Sequence, residues 1–74
     1  MDKTQCKMAR AALDWRAQDL ADKSGVGYAT VARFEAGSNI SANSLVAMQT
    51  ALEAQSVQFG RRAGRLSVSV PESK

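Results

Sequence analysis

Along the chain, apolar residues recur first at helical spacing and then at strand spacing. Between Thr4 and Leu13, the stripe Cys6, Ala9, Leu13 repeats at intervals of three and four among Ala, Met, Lys and Arg, all good helix formers, and predicts an amphipathic helix. Trp15 follows, and then Arg16 to Ser24 predicts a second, short helix with Leu20 and Ala21 as its apolar face. It closes at Gly25, a residue suited to the left-handed conformation after a helix end. Past the tight Gly25-Val26-Gly27 turn, Tyr28 to Ala36 sets Val31 and Phe34 on one face of a third helix, with Gly37 as its stop. Ser38 to Ser41 is a polar loop anchored by Ile40. Ser41 suits the N-cap of a fourth helix that carries Leu45, Met48 and Leu52 at i, i+3 and i+7 and ends near Ala54.

From Val57 the period changes. Val57-Gln58-Phe59 alternates, a glycine-bracketed basic stretch intervenes, and Leu66 to Val70 alternates strictly until Pro71, predicting two strands joined by a loop. The pattern divides the chain into a helical unit at 1–56, strands at 57–71 and a tail at 72–74. A two-stranded hairpin is seldom stable alone, so its apolar face must lie on the helices or on a second chain. Leu66, Val68 and Val70 share one face of the second strand, with Arg65, Ser67 and Ser69 on the other. The helices already own a core in Leu13, Leu20, Val31, Phe34, Leu45 and Leu52, which makes Val57, Phe59, Leu66, Val68 and Val70 the expected interface of a homodimer, formed by a shared β-ribbon. The competing arrangement folds the hairpin back on its own helices.

Composition narrows the chemistry. With 74 residues the chain is one small domain, marginally stable unless a disulfide, a metal or a subunit helps, and a single Cys with no His disfavours the first two. The lack of His also removes the ready general base and the usual nucleophile pairs, so the expectation is no enzyme, no metal and no cofactor. No apolar run approaches the roughly 20 residues of a membrane span, and Met1 to Ala12 lacks the apolar stretch of a secretory signal, which predicts a cytoplasmic protein with no membrane partner. Ten Lys and Arg against seven Asp and Glu, a net charge of +3, favour an anionic partner. The charge is uneven: residues 36–60 carry only Glu53, whereas Arg61, Arg62 and Arg65 crowd together. That arginine group is open to three readings, a solvated loop, a phosphate or minor-groove arm, and a subunit-interface charge. Cys6 reads as an inert small hydrophobe, Trp15 as a lid on the core, and Met8 and Met48 as core or core edge.

The stretch Gln18-Asp19-Leu20-Ala21-Asp22-Lys23-Ser24-Gly25-Val26-Gly27-Tyr28-Ala29-Thr30-Val31-Ala32-Arg33-Phe34-Glu35 resembles the helix-turn-helix of the Xre/Cro/CI family of phage and bacterial regulators. Two helices packed nearly perpendicular need a small residue at their crossing, here Ala21, a Gly at the turn, here Gly25, and apolar core positions, here Leu20, Val26, Val31 and Phe34. The resemblance covers about residues 5–59. It implies a mainly α, lambda-repressor-like bundle of four short helices containing a helix-turn-helix, in which a C-terminal β-hairpin or dimerising β-ribbon replaces the fifth helix of most members.

The resemblance further implies binding to double-stranded DNA, with the third helix in the major groove and base contacts from Tyr28, Ala29, Thr30 and Arg33. Tyr28 packed over the turn and Arg33 merely solvated are the plain alternatives. Backbone contacts would come from Arg16, Gln18, Gly27, Ser38, Asn39, Ser41 and Asn43, with Ser44 beside them, and from Arg61 and Arg62. The sequence departs from the family where a hydroxyl residue and a phosphate-touching Gln are usual: it has Arg16 and Ala17, and Gln18 lies one position off. Gly27 stands where a capping hydroxyl is common. Arg10 and Glu35 sit where many relatives form an ion pair between the first and third helices. The function so implied is a sequence-specific transcriptional regulator, a homodimeric repressor on an inverted repeat. With little chain beyond the strands, control is expected through concentration, promoter geometry or a partner such as an antagonist protein. The alternative is an antitoxin-like interaction module that neutralises a toxin protein and binds its own operon DNA secondarily.

Overall fold

The computed structural model describes residues 1–72. The chain runs α1 (Lys3–Leu13), α2 (Ala17–Ser24), α3 (Tyr28–Glu35), α4 (Ala42–Glu53), β1 (Gln58–Arg62) and β2 (Arg65–Ser69), and the two strands pair antiparallel. The protein is thus mainly helical, with four helices followed by a C-terminal hairpin. The tail read over 72–74 lies, beyond Glu72, outside the described residues.

Each helix has a local reason to start or stop. Asp2 caps α1, its carboxylate accepting from the Gln5 amide at 2.9 Å, while Gln5 Oε1 accepts from the Asp2 amide at 3.0 Å, a reciprocal capping box. Gly25 ends α2 at φ +74°, and Ser41 caps α4 by accepting from the Ser44 amide at 3.2 Å. The core gathers Cys6, Ala9, Leu20, Ala21, Val31, Met48, Leu52 and Val57, with Leu13, Trp15, Val26, Phe34 and Ile40 packed around it. Met8, expected at the core or its edge, is exposed. It falls between the Cys6 and Ala9 positions, on a part of the helix that turns away from the stripe.

The strands differ from expectation. β1 begins one residue later, at Gln58, and continues through Gly60, Arg61 and Arg62, so the basic stretch is strand and not loop. The physical cause is the turn. Ala63 and Gly64 lie at φ +53° and +74°, a two-residue connection whose doubly left-handed backbone matches the twist of a hairpin and leaves no room for a longer loop. An alanine there forgoes the ease that Asn or Gly would have. Val57 precedes the strand and is 3% exposed. Expected in a shared ribbon, it is instead part of the helical core, because the turn at Glu53 to Ser56, with Ser56 at φ +64°, folds the chain back over α4 before the strand starts.

The hairpin is folded back on its own helices. Phe59, Val68 and Val70 pack against the core, and β2 lies against α1. A polar link fixes that seat: the Gln5 side chain, 5% exposed, donates from Nε2 to the carbonyls of Gly60 at 2.9 Å and Ser67 at 3.3 Å, which face each other in the register. One amide therefore both caps α1 and binds both strands. Replacing it removes a buried donor, and Gln5→Leu should cost about 1 to 3 kcal/mol in urea unfolding. Gln5→Glu should cost more at pH 7, since a carboxylate would face two carbonyl oxygens. Facing those carbonyls the introduced carboxyl would have its pKa raised on folding, so the excess should shrink as pH is lowered towards the ordinary glutamate value of about 4.3 and be gone below it, where protonation restores a donor.

Candidate nucleic-acid interface

The segment α2-turn-α3 is built by short-range bonds. Ser24 Oγ donates back to the Leu20 carbonyl at 2.7 Å and accepts from the Val26 amide at 3.3 Å, so one hydroxyl ends α2 and steers the chain out of it. The Gly25 amide closes on the Ala21 carbonyl at 2.9 Å, and half-buried Val26 anchors the turn. Gly27 then begins α3, its carbonyl accepting from Thr30 and Val31; with no side chain to cap with, it leaves the first amides of α3 without a partner of that kind.

Helix α3 divides sharply by face. Val31 and Glu35 are buried and Phe34 is half-buried, which holds the helix against α1 and α2. Tyr28 is 52% exposed, Ala29 and Arg33 are exposed, and Thr30 is half-buried. Arg33 reaches back along the helix, and its Nη2 donates to Thr30 Oγ1 at 3.4 Å. The four candidate base-contacting residues thus lie on the outer side and N-terminal end of one helix. Ala32 lies among them, exposed at i+3 from Ala29, and sequence reasoning missed it. The signal was available in the 3.6-residue period: a residue adjacent to Val31 and Phe34 but off their stripe faces outward.

What sets this helix against the body of the domain is a buried ionic cluster. Arg10 Nη2 donates to Glu35 Oε1 at 2.6 Å and Arg10 Nε to Glu35 Oε2 at 2.7 Å, a bidentate pair, while Arg10 Nη1 donates to the Trp15 carbonyl at 3.0 Å. Cys6 Sγ adds a third donor to Glu35 Oε2 at 3.1 Å. Burial pushes the Glu35 carboxyl up, but the bonds from Arg10 and Cys6 and the charge of Arg10 outweigh it and hold Glu35 below the ordinary glutamate range. The same surroundings push the Cys6 thiol up to about 12, first by burial and then by its bond to the carboxylate and the carboxylate's charge. Cys6, fully buried, is a hydrogen-bond donor within the core.

The candidate backbone-contacting residues fall into two groups. Some already have partners: Arg16 donates from its side chain and its amide to Asp19, Gln18 Nε2 donates to Asp22 Oδ1 at 2.9 Å, and Ser41 is spent on the α4 cap. The bonds from Arg16 also draw the Asp19 carboxyl below its usual range. Gly27, Ser38, Asn39 and Asn43 are exposed, at the start of α3, in the α3–α4 loop and in the first turn of α4. Arg61 and Arg62 separate. Arg61 leans to the N-cap of α1, 3.7 Å from Asp2, and Arg62 stands directly opposite Arg65 across the ladder.

Two helices joined by a glycine turn, the second presenting hydroxyl, aromatic and guanidinium groups on an outward face, define a helix-turn-helix DNA-binding domain. A helix-turn-helix family model matches residues 7–59, and the chain belongs to that family, in its Xre/Cro/CI type, as a DNA-binding regulator. No curated protein matches the chain. Among the described residues, no helix is long and apolar enough to cross a membrane.

The ionic cluster sets the acid behaviour. Glu35, with its pKa lowered on folding, contributes stability that is present above the ordinary glutamate value of about 4.3 and is lost as pH falls through the folded value. Glu35→Gln should therefore cost about 3 kcal/mol at pH 7, where Arg10 is left without its counter-charge. The gap to the unmodified protein should narrow progressively below pH of about 4 in acid-unfolding curves. The Cys6 thiol should resist alkylation at pH 8 in the folded protein and react once urea unfolds it.

Proposed function

We propose that the protein is a sequence-specific, homodimeric transcriptional repressor that reads an inverted repeat in duplex DNA by placing α3 in successive major grooves. The observation that carries this reading is the outward face of α3, where Tyr28, Ala29, Thr30 and Arg33 are presented by a helix whose opposite face is braced by Glu35. Tyr28 and Thr30 supply donors and acceptors for base edges, Ala29 and the Thr30 methyl suit a thymine methyl, and Arg33 suits a guanine or a neighbouring phosphate. Backbone contacts come from Gly27, Ser38, Asn39 and Asn43, and from Arg16, Gln18 and Ser41 where these exchange an internal partner for phosphate; Arg61 and Arg62 add positive potential. The protein works in the cytoplasm, without catalysis.

The dimer is proposed to form along the free edges of the β1–β2 ribbon. Both outer edges are unpaired in the two-stranded sheet, and Leu66, half-buried, is the apolar residue of β2 that the helical core does not claim. Phe59, Val68 and Val70, half-covered by the helices, extend the same apolar strip.

Two measurements test the reading. Thr30→Ala or Tyr28→Ala should lower the ratio of operator to random-sequence affinity by about 1 to 3 kcal/mol, whereas Asn43→Ala should weaken both alike; the opposite pattern would reverse the assignment. For the dimer, Leu66→Asp should shift the protein to a folded monomer in sedimentation equilibrium and abolish the preference for two half-sites about 34 Å apart over one. A Leu66→Asp protein that stays dimeric would remove the ribbon from the interface.

A further inference from the structure

The hairpin's two faces are chemically distinct, and only one of them is used by the fold. The inner face carries Phe59, Arg61, Leu66, Val68 and Val70, of which Phe59, Val68 and Val70 pack against the helices and Arg61 leans to Asp2. The outer face carries Gln58, Gly60 and Arg62 on β1 and, opposite them in register, Ser69, Ser67 and Arg65 on β2. Its side chains are exposed, none is acidic and none is a large apolar group.

Arg62 and Arg65 are the outermost pair of that face. Like charges set directly opposite across a ladder disfavour the strand pairing that holds them there. No carboxylate among the described residues relieves them, since the ion pairs found are Arg10–Glu35, Arg16–Asp19 and Arg61–Asp2. The Ala63–Gly64 connection keeps them together nevertheless, with Ala63 itself in a left-handed conformation. Below them the face is low. Gly60 stands opposite Ser67, where even a Cβ would come within 2.6 Å of the Ser67 hydroxyl, and Ser67, Ser69 and Gln58 continue as short donors.

We infer that this outer face is a second DNA-contacting surface, in which the Arg62–Arg65 pair straddles phosphates of the duplex backbone and Ser67, Ser69 and Gln58 follow with neutral hydrogen bonds. The inference rests on the DNA-binding reading above and extends it to a part of the chain outside the helix-turn-helix. An anionic, repeating, weakly featured ligand is what the face fits. Two unpaired guanidinium groups need negative charge, and Arg presents donors that match phosphate oxygens in bidentate fashion. A protein partner would call for an apolar or aromatic centre to the patch, and this face has only hydroxyls, an amide and a glycine. The anion removes the repulsion between the two arginines, so binding gains at the one place where the hairpin is electrostatically disfavoured.

The test is the salt dependence of binding to a duplex carrying the operator and to a random duplex of equal length. The double variant Arg62→Gln/Arg65→Gln should lower the slope of log affinity against log salt by about 1.8, or 0.9 for each of two phosphates, on both duplexes. It should leave the operator-to-random ratio unchanged and the thermal midpoint unchanged or raised, since it removes a repulsion. Lys7→Gln, on exposed α1, controls for net charge and should change the slope little. Ser67→Asp, which adds a carboxylate to the middle of the face, should weaken both affinities with circular dichroism unaltered. An undiminished slope in the double variant overturns the inference, including the case in which these arginines serve an acidic protein. If the unmodified protein binds neither duplex, the DNA-binding reading itself fails. If it binds and Thr30→Ala still erodes specificity while the double variant behaves as the unmodified protein, only the hairpin surface is lost.

Discussion

The pairing of Glu35 with Arg10 is the interaction on which the rest of the geometry depends. A single guanidinium uses three nitrogens to bond the last residue of α3 and the carbonyl of Trp15 at the entry to α2, while itself standing on α1. Three elements of the bundle are thereby fixed to one planar group. Apolar contacts among Cys6, Ala9, Leu20, Ala21 and Val31 would hold these helices together, but burial is non-directional and tolerates sliding. A bidentate arginine-carboxylate pair does not, because both bonds are lost when the planes rotate. The exposed face of α3 is aimed only as well as its buried face is held.

A second polar group does for the hairpin what Arg10 does for α3. Gln5 lies one residue before Cys6, and its amide bonds to Gly60 and Ser67. The two residues divide the domain's orientation between them. Cys6 and Arg10 look towards α3, Gln5 looks towards the strands, and α1 serves as the common spine. In a chain of 74 residues with few fully buried large side chains, these directional bonds supply the definition that a larger core would obtain from packing alone. Each leaves an unsatisfied buried group when cut, so the cost of losing one exceeds its net worth when made.

How much of this could be read from the sequence follows from which signals are periodic. Cys6, Ala9 and Leu13, then Val31 and Phe34, then Leu45, Met48 and Leu52 recur at helical intervals, and Gly25 marks the end of α2, so the helices were legible to within a residue or two. Leu66 to Val70 alternates, so β2 was legible as well. The run Gly60-Arg61-Arg62 has no alternation of polarity, and its strand conformation is imposed by its partner strand and by a two-residue turn at Ala63 and Gly64, a contact that no local pattern reports. Val57 was read as part of that alternation when its apolar side chain serves the helical core. Gln5 was invisible for a related reason. A glutamine on a helix reads as solvated, and only the return of the chain 55 residues later gives its amide something to bind. On α3, the spacing found the buried face, and through the family resemblance four of the outward residues. Ala32, exposed beside them, escapes notice because a small side chain carries no chemistry of its own.

The polar contacts of the domain separate into those that ligand binding can exchange and those it cannot. Arg16 with Asp19 and Gln18 with Asp22 are exposed pairs on α2, and exposed pairs of this kind contribute little to stability because water and salt compete for both partners. Parting such a side chain from its carboxylate therefore costs little. Arg10 and Glu35 are on the other side of this division. Their bonds are partly shielded from water, Glu35 is left buried without its partner if Arg10 moves, and neither side chain is on the outward face of α3. The strongest charge pair of the domain thus holds α3 against the bundle, while the exposed pairs on α2 are the ones whose partners are cheapest to give up.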